Sequence, residues 1–219
     1  MFDLDNTLYP SSCDLFAEID VRMTDFVANF LSLHPDEARA LQKQYYADHG
    51  TTLKGMMVNH GMSPDAFLAY VHDIDHSPLP VSARLRVALQ ALPGRKFVFT
   101  NGSLGHATGV TRAMQIHDVF DGFFGIEDAL FQPKPHNEAF DRFVAAHGVN
   151  PENAVFFEDL SRNLAPAWRM GFATVLVQSD KDWRDEPDGV RPARAGDEVP
   201  DHVDYVIDDL TDFLEQVIA

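Results

Sequence analysis

The spacing of hydrophobic positions changes period once along the chain. Over residues 14–33, Leu15, Phe16, Ile19, Met23, Phe26, Val27, Phe30 and Leu31 recur at intervals of three and four, which predicts an amphipathic helix. Pro35 suits the first turn of a second helix through Tyr46, with Gly50 just beyond its end. Shorter helices are predicted over 53–59 and 64–71, before Pro78 and Pro80 interrupt the pattern. Residues 11–80 therefore read as all-helical.

The remainder alternates short apolar runs with helical periods. Strands are predicted over 96–99, 122–126, 154–157, 173–177 and 203–207, and helices over 82–92, 104–115, 135–147, 163–170 and 210–218. The first ten residues read as the end of a strand followed by a loop. A polar segment rich in Asp, Arg and Pro at 179–202 reads as a solvated connection. Such alternation predicts an α/β fold, a Rossmann-like parallel sheet covered on both faces. Residues 1–10 and 81–219 would form this core, and the helical segment 11–80 an insertion into it.

Size and composition narrow the classes. A chain of 219 residues, 45% of them hydrophobic, can build one such core with a modest accessory unit. No apolar run approaches the roughly 20 residues that span a bilayer, so no membrane association is expected. The single cysteine, Cys13, cannot form an internal disulfide and fits a reducing cytoplasm. With 34 acidic against 17 basic residues, the net charge of −17 argues against a nucleic-acid partner. A small phosphorylated metabolite is still compatible, because a metal and local cations can invert the field inside a cleft.

In parallel α/β sheets ligands bind beyond the carboxyl ends of the strands, so chemistry is expected there. Asp3 and Asp5 follow the first strand and share one face of an extended segment. Thr100, Asn101, Gly102 and Ser103 follow the second, at the start of a helix whose N-terminus favours anions. Lys134 stands between Pro133 and Pro135, and Glu158 and Asp159 close the 154–157 run. Taken singly, each acid or hydroxyl could be a helix cap and Lys134 a surface lysine. Taken jointly, they compose a site for a metal and a phosphoryl group.

Asp3-Leu4-Asp5-Asn6-Thr7, Thr100-Asn101, Lys134 and Glu158-Asp159 resemble, in order, the four motifs of the haloacid dehalogenase superfamily. The helical segment lies where that superfamily places its first type of cap. The resemblance implies a magnesium-dependent phosphomonoester hydrolase. In it Asp3 attacks phosphorus, and Asp5 protonates the leaving oxygen and then activates water. Thr100, Asn101, Gly102 and Lys134 bind the phosphoryl group. Mg2+ is held by Asp3, Asp159 and the Asp5 carbonyl, with Glu158 either a water-mediated ligand or a partner of Lys134. The dehalogenases lack an acid at the position of Asp5, since carbon–halogen cleavage needs no proton on the leaving group. To carry a proton near neutral pH, Asp5 is expected to have a higher pKa than Asp3.

Asp5-Asn6-Thr7-Leu8-Tyr9-Pro10, Tyr45-Tyr46, Gly50, Gly55, the Val71 to Asp75 stretch and His106 resemble the pyrimidine 5′-nucleotidase branch. Tyr46 for stacking and Lys54 for a ribose or phosphate oxygen are the candidate substrate contacts. Other small phosphate esters, such as a sugar phosphate or phosphoglycolate, and an idle binding module on the same fold are the alternatives. Two departures stand out. Glu158 replaces the more usual aspartate, and only Met1 and Phe2 precede Asp3, so residues upstream are expected to be missing.

Overall fold

The computed structural model describes residues 1–183, 186–187 and 191–219; part of the polar 179–202 connection lies outside the described residues. The helical segment folds as α1 (Leu15–Leu31), α2 (Pro35–His49), α3 (Thr52–His60) and α4 (Pro64–Val71). Then follow α5 (Ala83–Ala91), β1 (Phe97–Phe99), α6 (Leu104–Ala113), β2 (Gly122–Phe124) and α7 (Asn137–His147). The chain closes with β3 (Val155–Glu158), α8 (Ser161–Met170), β4 (Ala173–Val177), β5 (Tyr205–Ile207) and α9 (Leu210–Ile218).

All strand pairs are parallel: β1 with β2, β3 with β4, and β4 with β5. Phe2 joins the two groups by bridging Val98 on one side and Phe157 on the other. The Phe2 N–H donates to the Phe97 carbonyl, and the Phe99 N–H donates to the Phe2 carbonyl, both at 2.8 Å. Asp3 thereby emerges from the centre of the sheet. One apolar cluster on the sheet gathers Leu4, Leu85, Leu89, Val110 and Leu214, while a second gathers Phe99, Phe140, Phe143 and Leu164. Burial on both faces explains why the strands are continuous apolar runs rather than alternating ones.

The four-helix segment has a cluster of its own, built on Ile19, Val27, Met56, Phe67 and Val71. Its helix ends follow local chemistry. His34 and Glu37 form a reciprocal capping box at the start of α2, with Pro35 at the first helical position. Gly50 ends α2 at φ +85°, and a Cβ there would lie 3.1 Å from Pro133 Cγ and 3.3 Å from the Lys134 carbonyl oxygen. Glycine thus permits both the left-handed turn and close docking of α2 on the loop that carries Lys134.

Candidate active site

The ends of the strands converge on a cavity of about 130 Å³ between the sheet and the four-helix segment. Asp3, Asp5, Thr100, Asn101, Gly102, Lys134, Glu158 and Asp159 all line it. Tyr46 lines it as well, whereas Lys54 is not among the lining residues. Lys54 sits in the first turn of α3, where its N–H donates to the Thr51 side chain at 3.1 Å.

Lys134 is the centre of the arrangement. It is 1% exposed, and its Nζ donates to Asp3 Oδ1 at 2.6 Å, Glu158 Oε2 at 2.7 Å and the Phe99 carbonyl at 2.9 Å. All three ammonium protons are therefore used. Burial lowers its pKa, but the Asp3 and Glu158 charges prevail and leave it raised, so the ammonium stays charged. Asn101 holds the loop in place with both ends of its amide. Nδ2 donates to the Lys134 carbonyl at 3.1 Å, and Oδ1 accepts from the Lys134 N–H at 2.8 Å. The Asn101 side chain thus clamps the lysine loop, leaving its backbone to meet an anion.

Thr100 Oγ1 accepts from the Gly102 N–H at 2.9 Å, which leaves the Thr100 hydroxyl its own proton to donate. Glu158 is the last residue of β3 rather than the first beyond it. Of its two expected roles, pairing with Lys134 is the one the geometry displays.

Asp3, Glu158 and Asp159 offer carboxylate oxygens that lie within 4.8 Å of one another. Burial, followed by the Glu158 charge, pushes the Asp3 carboxyl up; burial, Glu158 and Asp3 push up Asp159. Asn163 Oδ1 is a buried acceptor without a partner, and Asn163 lines the same cavity. An excess of hard oxygen acceptors crowded at one place fits a divalent cation such as Mg2+. Such a cation would draw the carboxyl pKa values down again.

Asp5 departs from the sequence expectation. Burial raises its pKa, but the His106 charge and hydrogen bonds from His106 and Tyr9 more than offset this and hold it below the usual range. Its Oδ1 lies 2.5 Å from the Tyr9 hydroxyl and 2.8 Å from His106 Nε2. The order expected for Asp3 and Asp5 is thus reversed in the free protein, because partners folded against Asp5 favour its charged form. Neither partner was singled out by role in the sequence. Tyr9 is readable only as the fourth residue after Asp5, and His106 lies 101 positions away.

A haloacid dehalogenase-like hydrolase family model matches residues 1–171. The chain belongs to the haloacid dehalogenase-like hydrolases. Phosphate metabolism protein 8 of Saccharomyces cerevisiae is 30% identical over 195 residues, covering 80% of this chain and 60% of that protein. Enolase-phosphatase E1 of Frankia alni is 37% identical over 86 residues, 38% of this chain and 36% of that one. This hydrolase chain thus spans less than two thirds of either relative. A solved HAD phosphatase from Thermococcus onnurineus superposes with a TM-score of 0.61 at 19% identity, covering 99% of this chain and 95% of the other. The Rossmann-like α/β fold read from the sequence is the fold of this family. No described helix is long and apolar enough to cross a membrane.

Proposed function

We propose that this hydrolase cleaves small phosphomonoesters through an aspartyl-phosphate on Asp3, and that its substrate is a pyrimidine nucleoside 5′-monophosphate. The observation that carries the first part is the convergence of Asp3, Asp5, Lys134 and an acceptor cluster suited to a cation at one cavity. Asp3 forms the bond to phosphorus as the ester P–O bond breaks. Asp5 gives a proton to the leaving oxygen and then takes one from the water that hydrolyses the acyl phosphate. Asp5 is a carboxylate in the free site, so it acquires that proton when an anionic phosphate arrives beside it and raises its pKa. Thr100 and the Asn101 backbone hold non-bridging oxygens, Gly102 keeps their approach free of a side chain, and Lys134 neutralises charge on Asp3 and the phosphoryl group. Asp3, Asp159 and the Asp5 carbonyl would hold Mg2+, and Glu158, paired with Lys134, would reach it only through a water. When bound, the cation neutralises the anionic charge that gathers as nucleophile and phosphate meet. An acid at Asp5 favours this chemistry over dehalogenation.

The substrate reading rests on the walls. On the helical side the cavity is bounded by Phe16, Met23, Phe67, Leu68 and Val71, with Tyr46 beside them. The two lysines among the described lining residues are already paired, Lys134 as above and Lys43 with Asp20 at 2.8 Å and Glu186 at 2.6 Å. Among the described lining residues, a leaving group with a second negative charge would find no uncommitted lysine and several carboxylates. This favours a neutral, flat leaving group such as a nucleoside over phosphoglycolate. The segment 11–80 then acts as a cap over the core formed by 1–10 and 81–219.

Phosphate release from a panel of phosphomonoesters with Mg2+, run beside Asp3→Asn, tests both parts. Preference for UMP and CMP, abolished in the variant, is expected. Preference for a sugar phosphate or phosphoglycolate would reject the substrate. Turnover that survives in Asp3→Asn would reject the mechanism.

A further inference from the structure

Asp5 is held by only one of its two oxygens. Oδ1 receives both the Tyr9 hydroxyl and His106 Nε2, from two side chains that are almost wholly buried. No hydrogen bond from a described residue holds Oδ2, and Asp5 lines the cavity, so Oδ2 is the oxygen left to face it. The two donors anchor Oδ1 from two buried side chains.

The His106 ring is itself boxed in. Its side chain is 0% exposed, and its ring stacks on that of His72 at a centroid distance of 4.5 Å and an interplanar angle of 10°. His72 follows α4 and is held by Ser103 Oγ at 2.9 Å from its Nδ1, while the same Oγ accepts the His106 N–H at 3.1 Å. On the other side a Cβ at Gly102 would lie 3.1 Å from His106 Cδ2, so glycine there leaves room for the ring. A carboxylate accepts but cannot donate, so Nε2 carries the hydrogen in this contact.

We propose that His106, assisted by Tyr9, is a positioning residue that anchors Asp5 Oδ1 and so directs Oδ2 at the ester oxygen of the departing alcohol. The inference rests on the proposed role of Asp5 as the acid and extends it to residues that touch neither phosphate nor metal. A misdirected Oδ2 impairs proton delivery, which matters for a leaving alkoxide and little for p-nitrophenolate, which departs without a proton.

The test compares kcat/KM for p-nitrophenyl phosphate and for the best alkyl phosphate of the panel. This parameter counts only the steps up to departure of the leaving group. In His106→Ala the ratio of aryl to alkyl kcat/KM is expected to rise by roughly 30-fold or more, on the scale of lost general acid catalysis. His106→Gln keeps a side-chain N–H for Oδ1 and is expected to recover part of the loss. Tyr9→Phe is expected to shift the ratio in the same direction by less. An unchanged ratio in His106→Ala, whether both rates fall together or neither falls, would overturn the proposal. If His106→Ala does not fold, as judged by its melting curve, the ratio in Tyr9→Phe and His106→Gln decides instead, and no shift in either overturns it. Asp5→Asn separates the two levels. A retained alkyl rate in Asp5→Asn defeats the acid role itself. Selective loss there with none in the His106 variants defeats only the positioning role.

Discussion

Replacing Lys134 with methionine tests how the site is held together. The substitution keeps the side-chain length and removes the charge. It deletes the bonds to Asp3 Oδ1 and Glu158 Oε2 at 2.6 and 2.7 Å and leaves the Phe99 carbonyl without its 2.9 Å donor. Breaking one side of a buried ion pair costs about 3–5 kcal/mol. The ammonium also lies 5.1 Å from the Phe99 ring centroid and 5.2 Å from that of Phe156, where a thioether returns about 0.3–1.5 kcal/mol. A net loss of about 2–4 kcal/mol at pH 7 follows, or ~4–16 °C in Tm for a domain of this size. The loss must be larger at pH 9 than at pH 7, because the Asp3 carboxyl, pushed up to about 8 mainly by burial, has given up its proton there and needs the cation. Melting curves of Lys134→Met and wild type, both free of metal, at the two pH values provide the assay. A Tm change below about 2 °C at pH 7, or a smaller loss at pH 9 than at pH 7, would overturn this reading of the buried pair.

Two further outcomes follow from the same geometry. In the free protein Asp3 and Asp159 have raised pKa values, so the folded state binds more protons than the unfolded one between the ordinary carboxyl range and those raised values. Their contribution is full below the unfolded value and is lost as pH rises, and Mg2+ removes that loss; its stabilisation, read as a Tm gain, should be larger at pH 8 than at pH 5. An equal gain at both, or none, contradicts the assignment. Gly55→Ala in α3 places a Cβ 2.4 Å from the Cβ of Tyr45. Despite the better helix propensity of alanine, it should lower stability by about 1–3 kcal/mol in chemical denaturation; a stabilised variant would show that α2 and α3 pack less closely than described.

Much of the fold was legible because its signals are local. Pro35 and Gly50 bracket α2, and Pro64 opens α4, as their backbone preferences require. The five apolar runs became the five strands, each within a few residues of the expected bounds. The first strand is reduced to Phe2 bridging its neighbours, a pairing that no period reveals in so short a run. At the site, the eight core-motif residues line one cavity because strand order brings the strand ends together. What sequence spacing could not give was the partnering. The amide clamp of Asn101 on Lys134 joins residues 33 positions apart, and the contact of His106 with Asp5 joins residues 101 apart. The reversed acidities of Asp3 and Asp5 arise from those contacts and from burial, which only the folded chain supplies. Lys54 was attractive by charge alone, and the turn of α3 places it outside the lining.

The aspartyl-phosphate on Asp3 can be sought directly by quenching a single turnover in acid and examining the proteolytic fragments by mass spectrometry. One added phosphoryl group is expected on the fragment containing Asp3, absent from Asp3→Asn and discharged by further incubation before the quench. Turnover with no phosphorylated fragment at any quench time, or with the group on another residue, would contradict this intermediate.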